Sequence, residues 1–397
     1  MTALRGGTAL IVANCLGLFF NYIHQAQAAA LLPAESFGRF NVWLGLVGIG
    51  SSLAFLAQFA ANFFIFPERA FAYWRVGSMA LAIALAGVHL AVPGAPRPGV
   101  LAVESIVLGV LLNTTTGQYQ ARLRFGPMAF AAVTLFGTRA LLPNIVSRPD
   151  EQTFYVATPI AFIVTLSALM IFRGGSKDVA PARSSTADAP TVRRRLGAAL
   201  VLALCASVFP NLDVLGVAWI APPETAGRFA QVVLFTRIPY LLGALLLQIT
   251  LPYHVQGVDG ARHGSSATFI HRLELIVMAG AAACAPLNAL AVPWIARRLL
   301  GIDLEGQSWL ILISSASFAA LLVLFRGIQL SCSRSRLRLP IASLVFVLVF
   351  LLSARASSHG NAMTYLLVAV TAYASAAIGV HVFTRKRPPL APSEDFQ

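Results

Sequence analysis

Charged residues are scarce in this sequence. Asp, Glu, Lys and Arg make up 11% of its 397 residues, whereas they make up about a quarter of a typical soluble globular domain. Hydrophobic residues make up 57%, and the mean hydropathy is +0.75. This composition excludes a soluble globular protein. The hydrophobic runs have lengths near the roughly 20 residues that a membrane-spanning helix needs, and they lack the alternation of barrel strands, so they indicate membrane-spanning helices.

The sequence also has few residues that could form a catalytic or metal centre. Its four cysteines lie far apart, and its seven histidines are scattered along the chain. No His, Cys or carboxylate residues have the spacing of metal ligands, and there is neither a nucleotide-binding glycine loop nor a nucleophile with a base and an orienting acid at useful spacing. We therefore predict that the protein is not an enzyme and that it has no catalytic residue, no metal and no cofactor.

The hydrophobic runs predict twelve membrane-spanning helices in two sets of six. They cover residues 9–31, 41–63, 76–92, 99–117, 126–146, 153–172, 196–220, 229–253, 273–295, 307–329, 337–353 and 362–384. We predict an all-α membrane protein with four parts: an N-terminal six-helix lobe over 1–172, a cytoplasmic linker over 173–195, a C-terminal six-helix lobe over 196–385, and a disordered cytoplasmic tail over 386–397.

A short motif occurs twice in the chain. Residues 33–40 read PAESFGRF and residues 222–229 read PPETAGRF, so that Pro, Glu, Gly, Arg and Phe recur at an offset of 189 residues. Each copy lies between two hydrophobic runs. Internal repeats of this kind are typical of transporters built from two similar halves. The motif therefore predicts two pseudo-symmetric lobes.

The basic residues predict the orientation in the membrane. If the N-terminus is cytoplasmic, nineteen Lys and Arg residues fall on the cytoplasmic side and seven on the other side. Basic residues concentrate on the cytoplasmic side of membrane proteins, so we expect both termini to be cytoplasmic. The net charge of +14 is then explained by topology and by attraction to membrane lipid, and nucleic acid is not expected as a partner.

Several polar side chains fall inside the predicted spans, where an ionisable group is a candidate functional residue. Asp213 and Arg237 are expected at one depth in neighbouring antiparallel helices. Either they form a structural ion pair, or Arg237 faces a central cavity and binds an anionic group of the substrate while Asp213 orients that group or releases it on protonation.

The offset of 189 residues places His24 in the first lobe where the second lobe has Asp213. His24 is either a buried histidine that is hydrogen-bonded across helices or a residue with a direct role. It belongs to a polar face of the first helix. The full set of candidate cavity residues comprises Arg237, Asp213, His24, Asn21, Asn211, Gln58 and Gln248.

Three other charged residues fall within or near the spans. Glu104 and Arg139 each lie in the outer half of a predicted helix and form a candidate ion pair, although the side chain of Arg139 could instead extend to the outer surface. Arg326 lies near the cytoplasmic end of the tenth span. We expect its side chain to extend to the cytoplasmic surface.

The repeated motif and the run Asn211-Leu212-Asp213-Val214 resemble the polysaccharide flippases of the multidrug/oligosaccharidyl-lipid/polysaccharide exporter (MOP) superfamily. The resemblance implies a V-shaped pair of six-helix bundles. It also implies a multi-pass protein of the cell inner (plasma) membrane that moves polyprenyl-pyrophosphate-linked oligosaccharide across that membrane by alternating access, for surface or exopolysaccharide biosynthesis. The implied partners are the lipid-linked glycan, membrane lipid, and polysaccharide polymerase and export machinery.

The same resemblance implies a cationic cavity, to which Arg237 would belong. The first lobe is poor in arginine at the expected cavity positions, so we expect it to contribute little positive charge.

Three other functions were considered. A drug/cation antiporter of the same superfamily would need a membrane carboxylate in the first lobe, and Glu104 is the candidate. A major-facilitator transporter would also have six plus six helices, but its glycine-rich loop with Asp-Arg is absent from residues 67–76. A polysaccharide polymerase or ligase would have a long external loop, and the predicted external loops have about a dozen residues or fewer.

Overall fold

The computed structural model describes residues 2–63, 68–91, 98–122, 124–172, 189–257, 264–333, 337–357 and 361–385. Within these ranges the chain forms helices and no strand. The helices are α1 (Thr2–Leu31), α2 (Ala34–Gly50), α3 (Ser52–Phe63), α4 (Glu68–Ala91), α5 (Pro98–Ala121), α6 (Phe125–Ile145), α7 (Glu151–Leu169), α8 (Ala189–Ser207), α9 (Phe209–Ile220), α10 (Pro223–Thr236), α11 (Ile238–Gly257), α12 (Gly264–Leu300), α13 (Ser308–Ser333), α14 (Arg338–Ser357) and α15 (Ala362–Arg385).

These helices occupy all twelve predicted spans, and the predicted all-α, two-lobe fold class is confirmed. In the described part of the chain, eight helical segments are individually long and apolar enough to cross a membrane, and there are ten if each of two bent helix pairs counts as one span. The α14 helix contains a shorter apolar stretch, Arg338–Ala354. Helix α8 begins at Ala189, inside the predicted linker, while residues 173–188 and the predicted tail 386–397 lie outside the described residues.

Three of the predicted spans are each built from two helices. In the second span α2 and α3 meet at Ser51, within a stretch rich in Gly and Ser at residues 48–52. In the seventh span α8 and α9 are bent by 46°, and in the eighth α10 and α11 are bent by 51°. Pro210 and Pro239 follow the two bends, and proline ends a helical turn because it lacks an N–H donor and clashes with the preceding turn. The first lobe has Asn21 at the position equivalent to Pro210, and α1 continues through it without a break.

Exposed aromatic side chains are found near both ends of the bundle. We call the end that carries both copies of the repeated motif the loop end. Trp219, Trp294 and Trp309 are exposed there, and Tyr73 and Trp74 are exposed at the start of α4, at the opposite end. Trp and Tyr concentrate at the two membrane–water interfaces. Their positions therefore agree with helices that cross a bilayer.

The lobes contact each other at the loop end through the two copies of the motif. Helix α2 packs against α10, and a Cβ atom added to Gly227 would lie 2.1 Å from the carbonyl oxygen of Ala34. A Cβ on Gly38 would lie 3.1 Å from Cα of Gly227. Only glycine permits backbones to approach this closely. The contact continues into a buried hydrophobic cluster that draws on both lobes and includes Phe37, Phe40, Trp43, Val232 and Phe235.

A second contact between the lobes lies nearer the opposite end. Helix α3 packs along α8, and Phe59 of α3 is part of the hydrophobic core of the second lobe. The second predicted span is therefore the element of the first lobe that packs most continuously against the second lobe. The remaining space between the lobes is available for a cavity.

The glycine contact predicts opposite effects for the same substitution at two helical glycines. Gly280→Ala, where an added Cβ meets nothing within 4 Å, should leave stability unchanged or raise it by about 0.5–1 kcal/mol, because alanine favours the helix. Gly227→Ala should lower stability by about 1–3 kcal/mol, because the methyl group would overlap a backbone carbonyl that cannot move freely. Thermal unfolding of the two variants in detergent tests this, and equal shifts in melting temperature would contradict the close contact.

Candidate functional site

A cavity with a volume of about 430 Å³ lies between the lobes. It is lined by α1, α2, α3, α5, α6 and α7 of the first lobe and by α8, α9 and α11 of the second. All three helix breaks reach it, because Ser51, Pro210 and Arg237 are among its lining residues. Irregular backbone at membrane depth is tolerated where it is buried in protein or lines a polar cavity. The three helix breaks therefore lie where irregular backbone is tolerated, at the wall of the cavity.

Two arginines supply the formal charge of this cavity. Arg139 belongs to α6 of the first lobe, and Arg237 lies at the break between α10 and α11 of the second lobe. No carboxylate is present among the described residues that line the cavity. The expectation that the first lobe contributes little positive charge is wrong, since each lobe contributes one guanidinium group.

The Arg237 side chain is held by the other broken span of its lobe. Its Nη2 donates a hydrogen bond to the carbonyl oxygen of Pro210 at 2.7 Å, and its guanidinium carbon lies 5.5 Å from the centre of the Phe318 ring. Its Nε atom has no hydrogen-bond partner in the described part of the structure. One nitrogen of the guanidinium is thus fixed, and the buried Nε donor is left unsatisfied by the described residues.

Arg139 is held by the polar face of the first helix. Its Nη1 donates to Oδ1 of Asn21 at 3.1 Å, while Nε and Nη2 have no partner among the described residues. The predicted ion pair with Glu104 is wrong: α6 packs along α1, which places Arg139 against Asn21, and Glu104 is buried on α5. Similar depth in the membrane did not bring the two side chains together.

Asp213 does not form a direct ion pair with Arg237 in this structure. The carboxylate is 1% exposed and accepts hydrogen bonds from the Ser317 hydroxyl at 3.2 Å and the Tyr373 hydroxyl at 3.5 Å. These partners belong to α13 and α15, so Asp213 faces the interior of its own lobe and is not among the lining residues. The predicted pairing rested on depth alone, whereas Arg237 bonds to the Pro210 carbonyl and Asp213 bonds to residues of α13 and α15.

His24 is likewise packed inside its own lobe. It is fully buried, and its ring lies against those of Phe40 and Phe154, with centroid separations of 5.9 Å and 5.3 Å. Neither ring nitrogen has a hydrogen-bond partner within the described residues. The equivalence of His24 and Asp213 in the repeat therefore places both in lobe interiors instead of at the cavity.

The remaining predicted residues divide into two groups. Asn21, Gln58 and Asn211 line the cavity together with Arg237. Gln58 donates to Oε1 of Gln120 at 3.0 Å, and Asn211 donates to the Ser207 carbonyl at 2.6 Å. The side chain of Gln248 lies outside the described part of the structure.

Sequence reasoning missed a polar face on α5. Asn113, Thr116 and Gln120 all line the cavity. Their spacing of three and four residues places them on one side of a helix. That periodicity was present in the sequence and would have identified them. The cavity therefore has two guanidinium groups set among neutral amide and hydroxyl side chains and among apolar side chains such as Phe55 and Phe162.

The fold resembles solved transporter structures, although the sequence matches no protein-family model. No protein-family model and no curated protein matches the chain. An outward-facing multidrug resistance MATE family transporter of the MOP superfamily aligns with a TM-score of 0.60 at 13% identity, covering 96% of this chain and 94% of that one. The Vibrio cholerae MATE transporter VcmN in its bent form aligns with a TM-score of 0.54 at 13% identity, over 97% of this chain and 98% of that one.

A third structure is relevant to the charge of the cavity. A MOP superfamily transporter from Pyrococcus furiosus aligns with a TM-score of 0.59 at 14% identity, over 96% of this chain and 94% of that one, and it is described as having a binding pocket of reverse polarity that suggests a different function. These similarities show that this chain has the fold of MOP-superfamily transporters. They do not distinguish a polysaccharide flippase from a drug transporter.

The geometry predicts different solvent access for two groups of predicted residues. In a variant whose native cysteines are replaced by serine, Asn21→Cys should react with a water-soluble maleimide because it lines the cavity. Asp213→Cys and His24→Cys should react much more slowly, since both positions are buried in their lobes. Labelling can be followed by mass spectrometry of the purified protein. Equal labelling at all three positions, or none at residue 21, would contradict the assigned cavity.

Proposed function

We propose that this protein is a transporter that moves an anionic amphiphile from one membrane face to the other by alternating access. One observation supports this above all others: two arginines, one from each lobe, face the same cavity, and no described carboxylate lines it. A cavity of this charge favours an anionic group in the cargo.

The hydrogen bonds of the two arginines support the same proposal. Arg237 has a buried donor without a partner in the described structure, on Nε, and Arg139 has buried unpartnered donors on Nε and Nη2. Guanidinium groups bind phosphate and carboxylate through paired, charge-assisted hydrogen bonds. An unsatisfied charge inside a membrane protein is costly, so an anion bound to both guanidinium groups would be stabilised by both lobes at once.

The cargo that best combines this charge with the sequence resemblance is a polyprenyl-pyrophosphate-linked oligosaccharide. The pyrophosphate would bind Arg139 and Arg237, and the sugar hydroxyls would contact neutral polar residues such as Gln58, Asn113 and Gln120. In this proposal the protein acts in the cell inner membrane with both termini cytoplasmic. Polysaccharide polymerase and export machinery are its proposed partners in surface or exopolysaccharide biosynthesis.

A drug/cation antiporter is the second candidate, and the structural comparisons favour it. Two of the similar structures are MATE transporters, one of them a multidrug resistance transporter. A cationic drug would need a carboxylate in the cavity. Asp213 faces α13 and α15, and Glu104 is not among the described lining residues. The charge of the cavity therefore favours an anionic cargo, while the fold is compatible with both.

The packing at the loop end supports alternating access. The lobes touch there through Gly38 and Gly227, and the cavity lies between the lobes beyond this contact. In the predicted orientation the loop end is external. The structure would then correspond to a state that is closed on the outside, and transport would require the glycine contact to separate.

We predict that transport of a polyprenyl pyrophosphate depends on both cavity arginines. In proteoliposomes, Arg139→Ala and Arg237→Ala should each reduce the rate of translocation about 10- to 100-fold, the range expected for losing a hydrogen bond to a charged group. Arg237→Lys should recover part of the loss, because it keeps the charge but not the fork of donors. Arg297→Ala is the matched control, since Arg297 lies on the surface at the loop end and is 74% exposed.

The same preparation separates the two candidate functions. Translocation of polyprenyl pyrophosphate that is lost in both alanine variants would support an anionic cargo. If the wild-type protein instead exchanges a cationic dye for protons and does not move polyprenyl pyrophosphate, the antiporter is correct and the proposed cargo is wrong.

A further inference from the structure

A second cluster of ionisable side chains lies inside the C-terminal lobe, outside the cavity. Glu274 of α12 has a fully buried side chain. Its Oε2 accepts a hydrogen bond from Nε of Arg326 on α13 at 2.9 Å. Its Oε1 accepts one from the Thr250 hydroxyl at 2.8 Å and lies 2.7 Å from Nε2 of His254, both on α11. A single carboxylate therefore ties three helices together.

Arg326 extends the cluster to a second histidine. Its Nη2 lies 2.6 Å from Nδ1 of His271 on α12. Arg326 is only 4% exposed, so the expectation that its side chain extends to the membrane surface is wrong. The negative charge of Glu274 explains the difference, because a buried arginine is stable when it is paired and hydrogen-bonded.

We infer that this cluster is a proton-binding site that controls how firmly α11 is attached to α12 and α13, with His254 as the group that binds the proton. The role of this proton rests on the proposed transport function, because the proton would be the ion that drives or gates the movement of the lobes. The physical basis of the proton site is independent of the cargo.

The charges of the cluster suit it to one exchangeable proton. Glu274 and Arg326 cancel each other, and the other ionisable groups that contact them among the described residues are His254 and His271. Histidine is the side chain that ordinarily changes charge near neutral pH. A protonated His254 would donate a charge-assisted hydrogen bond to Glu274, which is stronger than the bond from neutral imidazole. Proton binding therefore tightens the link between α11 and α12.

His271 responds in the opposite way. Its Nδ1 faces an N–H donor of Arg326, so the nitrogen must act as an acceptor for this contact to be a hydrogen bond. Protonation of His271 would replace the acceptor by a donor and place two cations side by side. Because His271 is exposed, water would screen that repulsion, and the contact of Arg326 with Glu274 would remain. The main response to protons is therefore expected at His254.

Helix α11 connects this cluster to the cavity. It begins directly after Arg237 and carries His254 in its last turn. The offset of seventeen residues from Arg237 to His254 corresponds to roughly 25 Å along a helix. Helix α11 also contacts α1, α3 and α5 of the first lobe. A change in how α11 is attached near His254 would therefore alter the position of Arg237 and the contacts of α11 with the first lobe.

Hydrogen exchange of the purified, cargo-free protein tests the proton site directly. After correction for the intrinsic pH dependence of exchange, amides in the second half of α11 should exchange about fivefold more slowly at pH 5.5 than at pH 7.5, because the charge-assisted bond is the stronger one. His254→Gln should remove this difference, since glutamine can donate to Glu274 but does not bind a proton. Glu274→Gln should remove it as well.

Two control variants keep the test decisive. Thr250→Val removes a bond to the same oxygen of Glu274 without removing a titrating group, so it should speed exchange equally at both pH values. His381→Gln changes a histidine on α15 and should leave the pH difference intact. If the wild-type protein shows no pH difference in α11, or if His254→Gln retains it, the proton site is overturned.

The outcomes also distinguish this inference from the proposed function. A pH-dependent α11 in a protein that does not move polyprenyl pyrophosphate would support the proton site and reject the proposed cargo. Translocation that depends on Arg139 and Arg237, combined with exchange of α11 that does not change with pH, would support the cargo and reject the proton site.

Discussion

The cost of placing a guanidinium group inside a membrane governs the architecture between the two lobes. Within a bilayer a charged side chain needs acceptors or water around it. Arg237 obtains one acceptor from the backbone at the break near Pro210, and Arg139 obtains one from Asn21. Both side chains line the cavity between the lobes. The helix break near Pro210 and the amide of Asn21 therefore serve the same requirement, which is to supply an acceptor to a buried guanidinium group.

The packing between the lobes determines how an anion in the cavity could affect their arrangement. The contact at the loop end is made by backbone atoms of two glycines that occupy equivalent positions in the repeat, flanked by a hydrophobic cluster shared between lobes. Such a contact is held by close packing of backbone atoms. An anion bound by one arginine from each lobe would add an electrostatic link on the other side of this contact. Occupancy of the cavity would then change the balance between open and closed arrangements.

Much of the fold could be predicted from the sequence, whereas the facing of individual side chains could not. Span length follows from the thickness of the bilayer, and the repeat of residues 33–40 at 222–229 predicts equivalent lobes. The structure has helices at the predicted spans and has two lobes. Asp213 and Glu104 were assigned from their depth in the membrane, and His24 was assigned from the polar face of its helix and from its equivalence to Asp213 in the repeat. Which neighbour a residue meets at that depth depends on how helices rotate and bend, and Asp213 meets Ser317 and Tyr373 inside its own lobe. The Glu274 cluster joins residues from three helices far apart in sequence, and no local pattern marks it.

A map of the protein bound to a polyprenyl pyrophosphate, determined by electron cryo-microscopy in a lipid nanodisc, tests the central claim most directly. We predict density for the pyrophosphate between the guanidinium groups of Arg139 and Arg237, with the polyprenyl chain leaving the cavity toward the bilayer. Pyrophosphate density elsewhere in the protein, or a cavity in which both arginines have turned to bind neighbouring side chains, would contradict it.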